Sequence, residues 1–221
     1  MIEAVVFDMD GLILDSERLE AEASAKARRE LGLPDDWDLI INSKGTTHDI
    51  WMELHRKSCG EELFPLFAQR VSKVFHQAHL LGCPVKKGFH QLMSYLREHG
   101  YRVAVATSTY EQEARSALGH ADGLRYLDAL VTGDMVPHSK PHPAIYEEAC
   151  RRLGVAPQNA MALEDSHNGL RAAHAAGMKA VMVPDMMPYT PEMAQIIYAR
   201  VDSLLDVIPL LEGMQKREVG S

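Results

Sequence analysis

Two carboxylates spaced two apart, Asp8 and Asp10, close the first apolar run of the chain and are followed at once by Gly11. Such a pair can divide labour, one acid attacking an electrophile while the other carries a proton. Taken alone, Asp-Gly is also an ordinary turn signal. Three more polar groups follow other apolar runs: Thr107 and Ser108, then Ser139-Lys140-Pro141, then Glu164-Asp165-Ser166. Each has a plain structural use, because Thr, Ser and Asp favour helix N-caps and a loop lysine is commonly solvated. Their combined chemistry is more pointed. Asp8, Asp165 and Glu164 make an oxygen-rich anionic set suited to a hard divalent cation such as magnesium. Lys140 adds fixed positive charge and Thr107 a hydroxyl donor, which together suit a transferring phosphoryl group. A carboxylate beside the cation can attack phosphorus in line to give an aspartyl phosphate. The second carboxyl can protonate the leaving oxygen and then activate water.

These groups meet only if particular elements hold them. The run Ala4–Phe7 reads as a buried parallel strand, and short strands follow at 102–106, 129–131, 160–163 and 180–183. Helical patterns lie between them, one marked by Phe89, Leu92, Met93 and Leu96 and ending at Gly100, then at 111–119, 143–153 and 168–176, with a last one at 203–212. Strands alternating with helices imply right-handed crossovers and a parallel sheet covered on both faces, whose carboxyl ends share one edge. Residues 16–31, 48–58 and 61–80 read as helices with no strand among them. The expected architecture is therefore a Rossmann-like, doubly wound α/β core, residues 1–14 and 86–221, carrying an inserted all-helical cap, residues 15–85. Ser16 is a candidate cap for the first helix. The polar tail 215–221 is expected to fray.

Composition narrows the function classes. The chain has 221 residues, 46% of them hydrophobic, and a formal charge of −8. That is enough for a sizeable core and argues against non-specific nucleic-acid binding. Cys59, Cys83 and Cys150 are scattered and odd in number, as for reduced thiols. No signal peptide is legible, and no run approaches the roughly 18 apolar residues of a membrane span. A cytoplasmic location is expected. His76 and His79, three apart on a helix, suit a surface or packing role better than a zinc site, since no third ligand is near in sequence.

The segments Asp8-Met9-Asp10-Gly11-Leu12-Ile13-Leu14-Asp15-Ser16-Glu17, Thr107-Ser108, Lys140-Pro141 and Glu164-Asp165-Ser166 resemble, in order, the four motifs of the haloacid-dehalogenase phosphohydrolase superfamily. The closest likeness is to its β-phosphoglucomutase-like branch, whose helical cap is inserted after the first strand. The resemblance runs from residue 2 to about residue 184. It implies Asp8 as nucleophile and magnesium ligand, and Asp10 as general acid/base with its main-chain carbonyl on the metal. It further implies Thr107, Ser108 and Lys140 as phosphoryl binders, with Asp165 and Glu164 completing the metal shell. Serving as an acid near neutral pH, Asp10 is expected to have a raised pKa.

Within the branch, the mutase carries cap cations for a second phosphate. Where it has an arginine after the cap glycine and a histidine early in the first cap helix, this chain has His48 and Glu20. Tyr110 stands where the mutase has a lysine. The family's phosphonate hydrolase uses a cap lysine, and nothing singles out Lys26 or Lys44 for that part. The expected activity is a magnesium-dependent phosphatase acting on a small phosphorylated metabolite such as a sugar phosphate, as a monomer or weak dimer with no nucleic-acid or membrane partner. A β-phosphoglucomutase is the alternative. A phospho-accepting signalling domain also groups Asp, Thr and Lys, but Asp10 and the insertion argue against it. Gly45-Thr46-Thr47-His48 is the candidate specificity loop.

Overall fold

The computed structural model describes residues 1–44 and 48–219. Among them six parallel strands form one sheet: β1 (Ala4–Phe7), β2 (Arg102–Ala106), β3 (Ala129–Val131), β4 (Ala160–Glu164), β5 (Lys179–Met182) and β6 (Ala199–Arg200). Their order across the sheet is β3-β2-β1-β4-β5-β6. The winding direction reverses between β1 and β4, and the crevice beyond the carboxyl ends at such a point is where open α/β sheets take ligands. Register brings the acids level there. Phe7 pairs with Val105 on one side and Leu163 on the other, so Asp8 and Glu164 each stand one residue further on.

Alternation along the strands separates two cores. One face carries Val5, Phe7, Val103, Val105, Met161 and Leu163 against α5 (Phe89–Glu98), α6 (Glu111–His120) and α9 (Val207–Val219). The other carries Ala4, Val6, Ala104, Ala106, Ala160 and Ala162 against α7 (Ala144–Leu153) and α8 (His167–Ala175). Small residues on that second face let its two helices lie close to the backbone.

Between β1 and β2 the chain inserts α1 (Ser16–Glu30), α2 (Trp37–Asn42), α3 (His48–Cys59) and α4 (Phe64–Leu81). These helices enclose apolar clusters of their own, one built on Ala27, Cys59, Phe64, Phe67 and Val71 and one on Ala21, Ala25 and Ile40. The two chain crossings into and out of the insertion run side by side. The Asp15 N–H donates to the Pro84 carbonyl at 2.8 Å, and the Lys86 N–H to that of Ile13 at 2.8 Å.

Two elements lie outside the expected set, and one expectation needs correction. α2 has too few residues to show a period, and its start is marked only by Asp36, which accepts from the Leu39 N–H at 3.0 Å. β6 is two residues long and pairs only with β5. The tail does not fray at 215, since α9 runs to Val219 and Gln215 donates to the Tyr101 hydroxyl at 2.8 Å. The three cysteines are buried and free. Among the described residues, no helix is long and apolar enough to cross a membrane.

Candidate active site

At the reversal point, β1 delivers Asp8, whose N–H still donates to the Leu163 carbonyl at 3.0 Å. The loop after β3 brings Lys140 back over the strand ends. Its ammonium lies 2.5 Å from Asp8 Oδ1, 2.6 Å from Glu164 Oε1 and 3.1 Å from the Ala106 carbonyl. Four donors hold Glu164: Lys140 and the Tyr146 hydroxyl (2.6 Å) on Oε1, the Ser166 N–H (3.2 Å) and hydroxyl (3.0 Å) on Oε2. The Ser166 hydroxyl also caps α8, accepting from the Gly169 N–H at 3.0 Å. A Cβ at Gly169 would sit 1.8 Å from Glu164 Oε1, so this position must be glycine for the carboxylate to lie where it does.

Asp165 differs. It is buried, and neither carboxylate oxygen has a hydrogen-bond partner among the described residues. Gly11 has φ +80°, and a Cβ there would come within 2.2 Å of Asp165 Oδ2, so the turn after Asp10 is shaped around this acid. Asp8, Glu164 and Asp165 each offer an oxygen within 4.8 Å of the others. Burial drives the Asp8 carboxyl well above its usual range; Lys140 opposes this, and Glu164 and Asp10 add to it. Asp165 rises for the same first reason, then through Glu17, Asp8, Glu164 and Asp185. Lys140 is raised despite its burial, because Asp8 and Glu164 face it. An excess of buried acid, with two oxygens orphaned, is a donor set that fits a hard divalent cation.

Asp10 stands beside this group and is held on both oxygens. Oδ1 takes the Ser16 hydroxyl at 2.7 Å and meets His79 Nε2 at 2.8 Å. Oδ2 takes the Thr109 hydroxyl at 2.7 Å and, more distantly, that of Thr107 at 3.5 Å. His79 Nδ1 lies 2.8 Å from the Phe75 carbonyl, which can only accept, so one proton is left to share between Nε2 and Oδ1. The expected rise in the Asp10 pKa is reversed. Burial does push it up, but the His79 hydrogen bond and charge, then Ser16 and Thr109, outweigh burial and lower it. His79 is correspondingly raised: its own burial disfavours charge, but Asp10 and the Phe75 carbonyl favour it.

The inserted helices add a polar wall. Lys44 is buried and paired with Glu20 at 2.9 Å, and Trp51 Nε1 donates to the other Glu20 oxygen at 3.1 Å. Glu17 is raised to about 8, first by burial and then by Glu20, Asp185 and Asp10 against Lys44. Glu17, Asp165 and Asp185 form a second acid cluster that shares Asp165 with the first.

Of the residues singled out by sequence, Asp8, Asp10, Thr107, Lys140, Glu164 and Asp165 meet here. Ser108 is exposed, with its carbonyl against Gly133. Gly45, Thr46 and Thr47 lie outside the described residues, and His48 opens α3. Ser16 does not cap α1; its hydroxyl goes to Asp10 instead. Of the two roles expected for His79, surface or packing, it has the buried one, and sequence reasoning missed its contact with Asp10. His76 does take a surface role, 2.7 Å from Glu113. Tyr146, Thr109 and Gly169 were missed. Tyr146 carries no motif, whereas Thr109, two past Thr107, was within reach of the same strand-end argument.

A family model of haloacid dehalogenase-like hydrolases matches residues 5–183. Protein CbbY of Cereibacter sphaeroides is 32% identical over 97% of this chain and 96% of its own length. A phosphorylated carbohydrates phosphatase of Thermotoga maritima is 32% identical over 81% of this chain and 84% of its own. The solved β-phosphoglucomutase of Clostridium difficile superposes with a TM-score of 0.75 over 100% of both chains at 21% identity, a likeness of fold.

Proposed function

Because the chain belongs to the haloacid dehalogenase-like hydrolases, we propose that it is a phosphoric monoester hydrolase of small phosphorylated sugars, working through an aspartyl phosphate on Asp8. The observation that carries this reading is the approach of Lys140 to Asp8, 2.5 Å, beside the orphaned oxygens of Asp165. The sugar substrate is inferred from the Thermotoga maritima relative, a phosphatase of phosphorylated carbohydrates.

Each residue has a task in this reading. Asp8 and Asp165, with the Asp10 main-chain carbonyl, would hold Mg2+, and Glu164 stands in the same cluster while tethering Lys140. The cation, when bound, neutralises charge on the phosphoryl oxygens. Lys140 orients the Asp8 carboxylate and supplies positive charge. Asp8 Oδ attacks phosphorus as the ester oxygen leaves, and Asp10 delivers to that oxygen the proton it shares with His79. Asp10 then takes a proton from the water that attacks the acyl phosphate. The Thr107 hydroxyl donates to the phosphoryl group. The helical wall supplies Glu17, Glu20 and Lys44 toward the rest of the substrate, with Lys44 already neutralised by Glu20.

The test is steady-state turnover of a panel of sugar monophosphates with Mg2+, followed by release of inorganic phosphate. Phosphate release that Asp8→Asn abolishes is expected. Turnover that survives Asp8→Asn overturns the assignment, and interconversion of glucose 1- and 6-phosphates without free phosphate replaces hydrolysis with the mutase reaction.

A further inference from the structure

We propose that His79 is a positioning residue for Asp10, fixing the acid/base carboxyl from the side of the inserted helices. The proposal rests on the role given to Asp10 above. His79 comes from the last turn of α4, sixty-nine residues along the chain from Asp10, and is fully buried. Its ring is fixed before it meets the acid: Nδ1 is tied to the Phe75 carbonyl in its own helix, and the Phe75 ring packs against it at 4.4 Å. Only Nε2 is left to face outward, and it faces Asp10 Oδ1 at 2.8 Å. A side chain kept for packing alone needs no polar atoms here, and two buried nitrogens cost free energy unless both are bonded.

The support is itself anchored. Next to His79, the Leu80 carbonyl accepts from His120 Nε2 at 2.9 Å and from the Ser116 hydroxyl at 3.4 Å. Both donors belong to α6, so the imidazole is referenced to the core through that helix. The two oxygens of Asp10 are thereby divided between parts of the molecule. Oδ2 is tied to Thr109 beyond β2, whereas both partners of Oδ1, Ser16 and His79, flank the paired crossings into and out of the insertion. Without His79, Oδ1 keeps Ser16 alone and the carboxyl is held by hydroxyls only, none of them on a ring fixed by its own helix. Misplacement of a catalytic group by about 1 Å costs on the order of 10²-fold in rate.

The experiment compares kcat/KM for two aryl phosphates, because this ratio ends at leaving-group departure. The leaving group of p-nitrophenyl phosphate needs little proton assistance and that of phenyl phosphate needs more. His79→Leu is expected to lower kcat/KM for phenyl phosphate by at least about tenfold while that for p-nitrophenyl phosphate stays within about threefold, the pattern of impaired general acid catalysis. His79→Gln, which restores an N–H donor, is expected to recover most of the loss. Asp10→Asn sets the benchmark. If it shows no dependence on the leaving group, the role of Asp10 fails and the proposal with it. If Asp10→Asn shows that dependence while His79→Leu lowers both substrates equally, or neither, the positioning role alone is overturned. Should His79→Leu not fold, histidine-labelled ¹⁵N spectra of the native protein and Asp10→Asn decide: a shift of the His79 Nε2 resonance is expected, and its absence overturns the contact.

Discussion

At the scale of single residues, charge balance governs the site. Lys140 is buried between Asp8 and Glu164. Removing one partner of a buried pair leaves the other charge uncompensated, at a cost of about 3–5 kcal/mol. Lys140→Met is therefore expected to lower unfolding free energy by several kcal/mol in chelator, measured by denaturant titration; an unchanged midpoint would contradict the pairing. The principal acids were legible from sequence because each sits at a strand end in a short local motif. The protonation of Asp10 was not, because the imidazole that governs it lies in α4, far along the chain and outside any motif. Asp165 was legible as an acid, but its lack of partners emerges only when the strands are assembled.

At the scale of elements, glycines and buried polar residues fix how helices meet strands. Gly169 in α8 lies against the Glu164 carboxylate, so Gly169→Ala must push that acid aside. The expected result is a loss of about 1–3 kcal/mol from overpacking, together with a fall in kcat as Lys140 loses its tether. Full activity at normal stability would show that the acid can move freely. In the insertion, His55 is fully buried beside Trp51 and Phe67, and Ser43 accepts from its Nε2 at 3.0 Å because the Ser43 proton goes to the Ile40 carbonyl. Burial first, then Arg28 and Lys44, pull the His55 pKa down to about 4, with Asp36 opposing. The folded value lies below the unfolded one, so the unfolded chain binds the extra proton. Stability is then lost as pH falls from about 6.5 toward about 4, by on the order of 2–3 kcal/mol. His55→Gln is expected to flatten that part of the stability profile; an equal slope in the variant would assign it elsewhere. Strand and helix alternation made the core elements legible, whereas α2 and β6 were too short to display a period.

At the scale of the whole molecule, one edge of the sheet collects residues from position 8 to position 165. The insertion reaches that edge through Ser16, Glu17 and His79. The order β3-β2-β1-β4-β5-β6 makes this possible by turning β1 and β4 into neighbours. A cation that relieves the crowded acids binds the folded chain alone, which stabilises it by about 2.7 kcal/mol at a hundredfold excess over Kd. Mg2+ is thus expected to raise the melting temperature of the wild type and to have little effect on Asp165→Asn; equal shifts in both would move the metal elsewhere. The core and the convergence of its motifs were legible because the topology follows from strand–helix alternation. The polar wall of Glu17, Glu20, Lys44 and Asp185 was not, because it is assembled from loops and helix faces without a repeating signal.

The central claim is that Asp8 carries the phosphoryl group during turnover. The most direct measurement is to quench the enzyme during hydrolysis of the best sugar phosphate of the panel, reduce the acyl phosphate with borohydride and locate the product by peptide mass spectrometry. Conversion of residue 8 to homoserine is predicted, with none in Asp8→Asn. Turnover with residue 8 unmodified, or with the label at another side chain, would contradict the account.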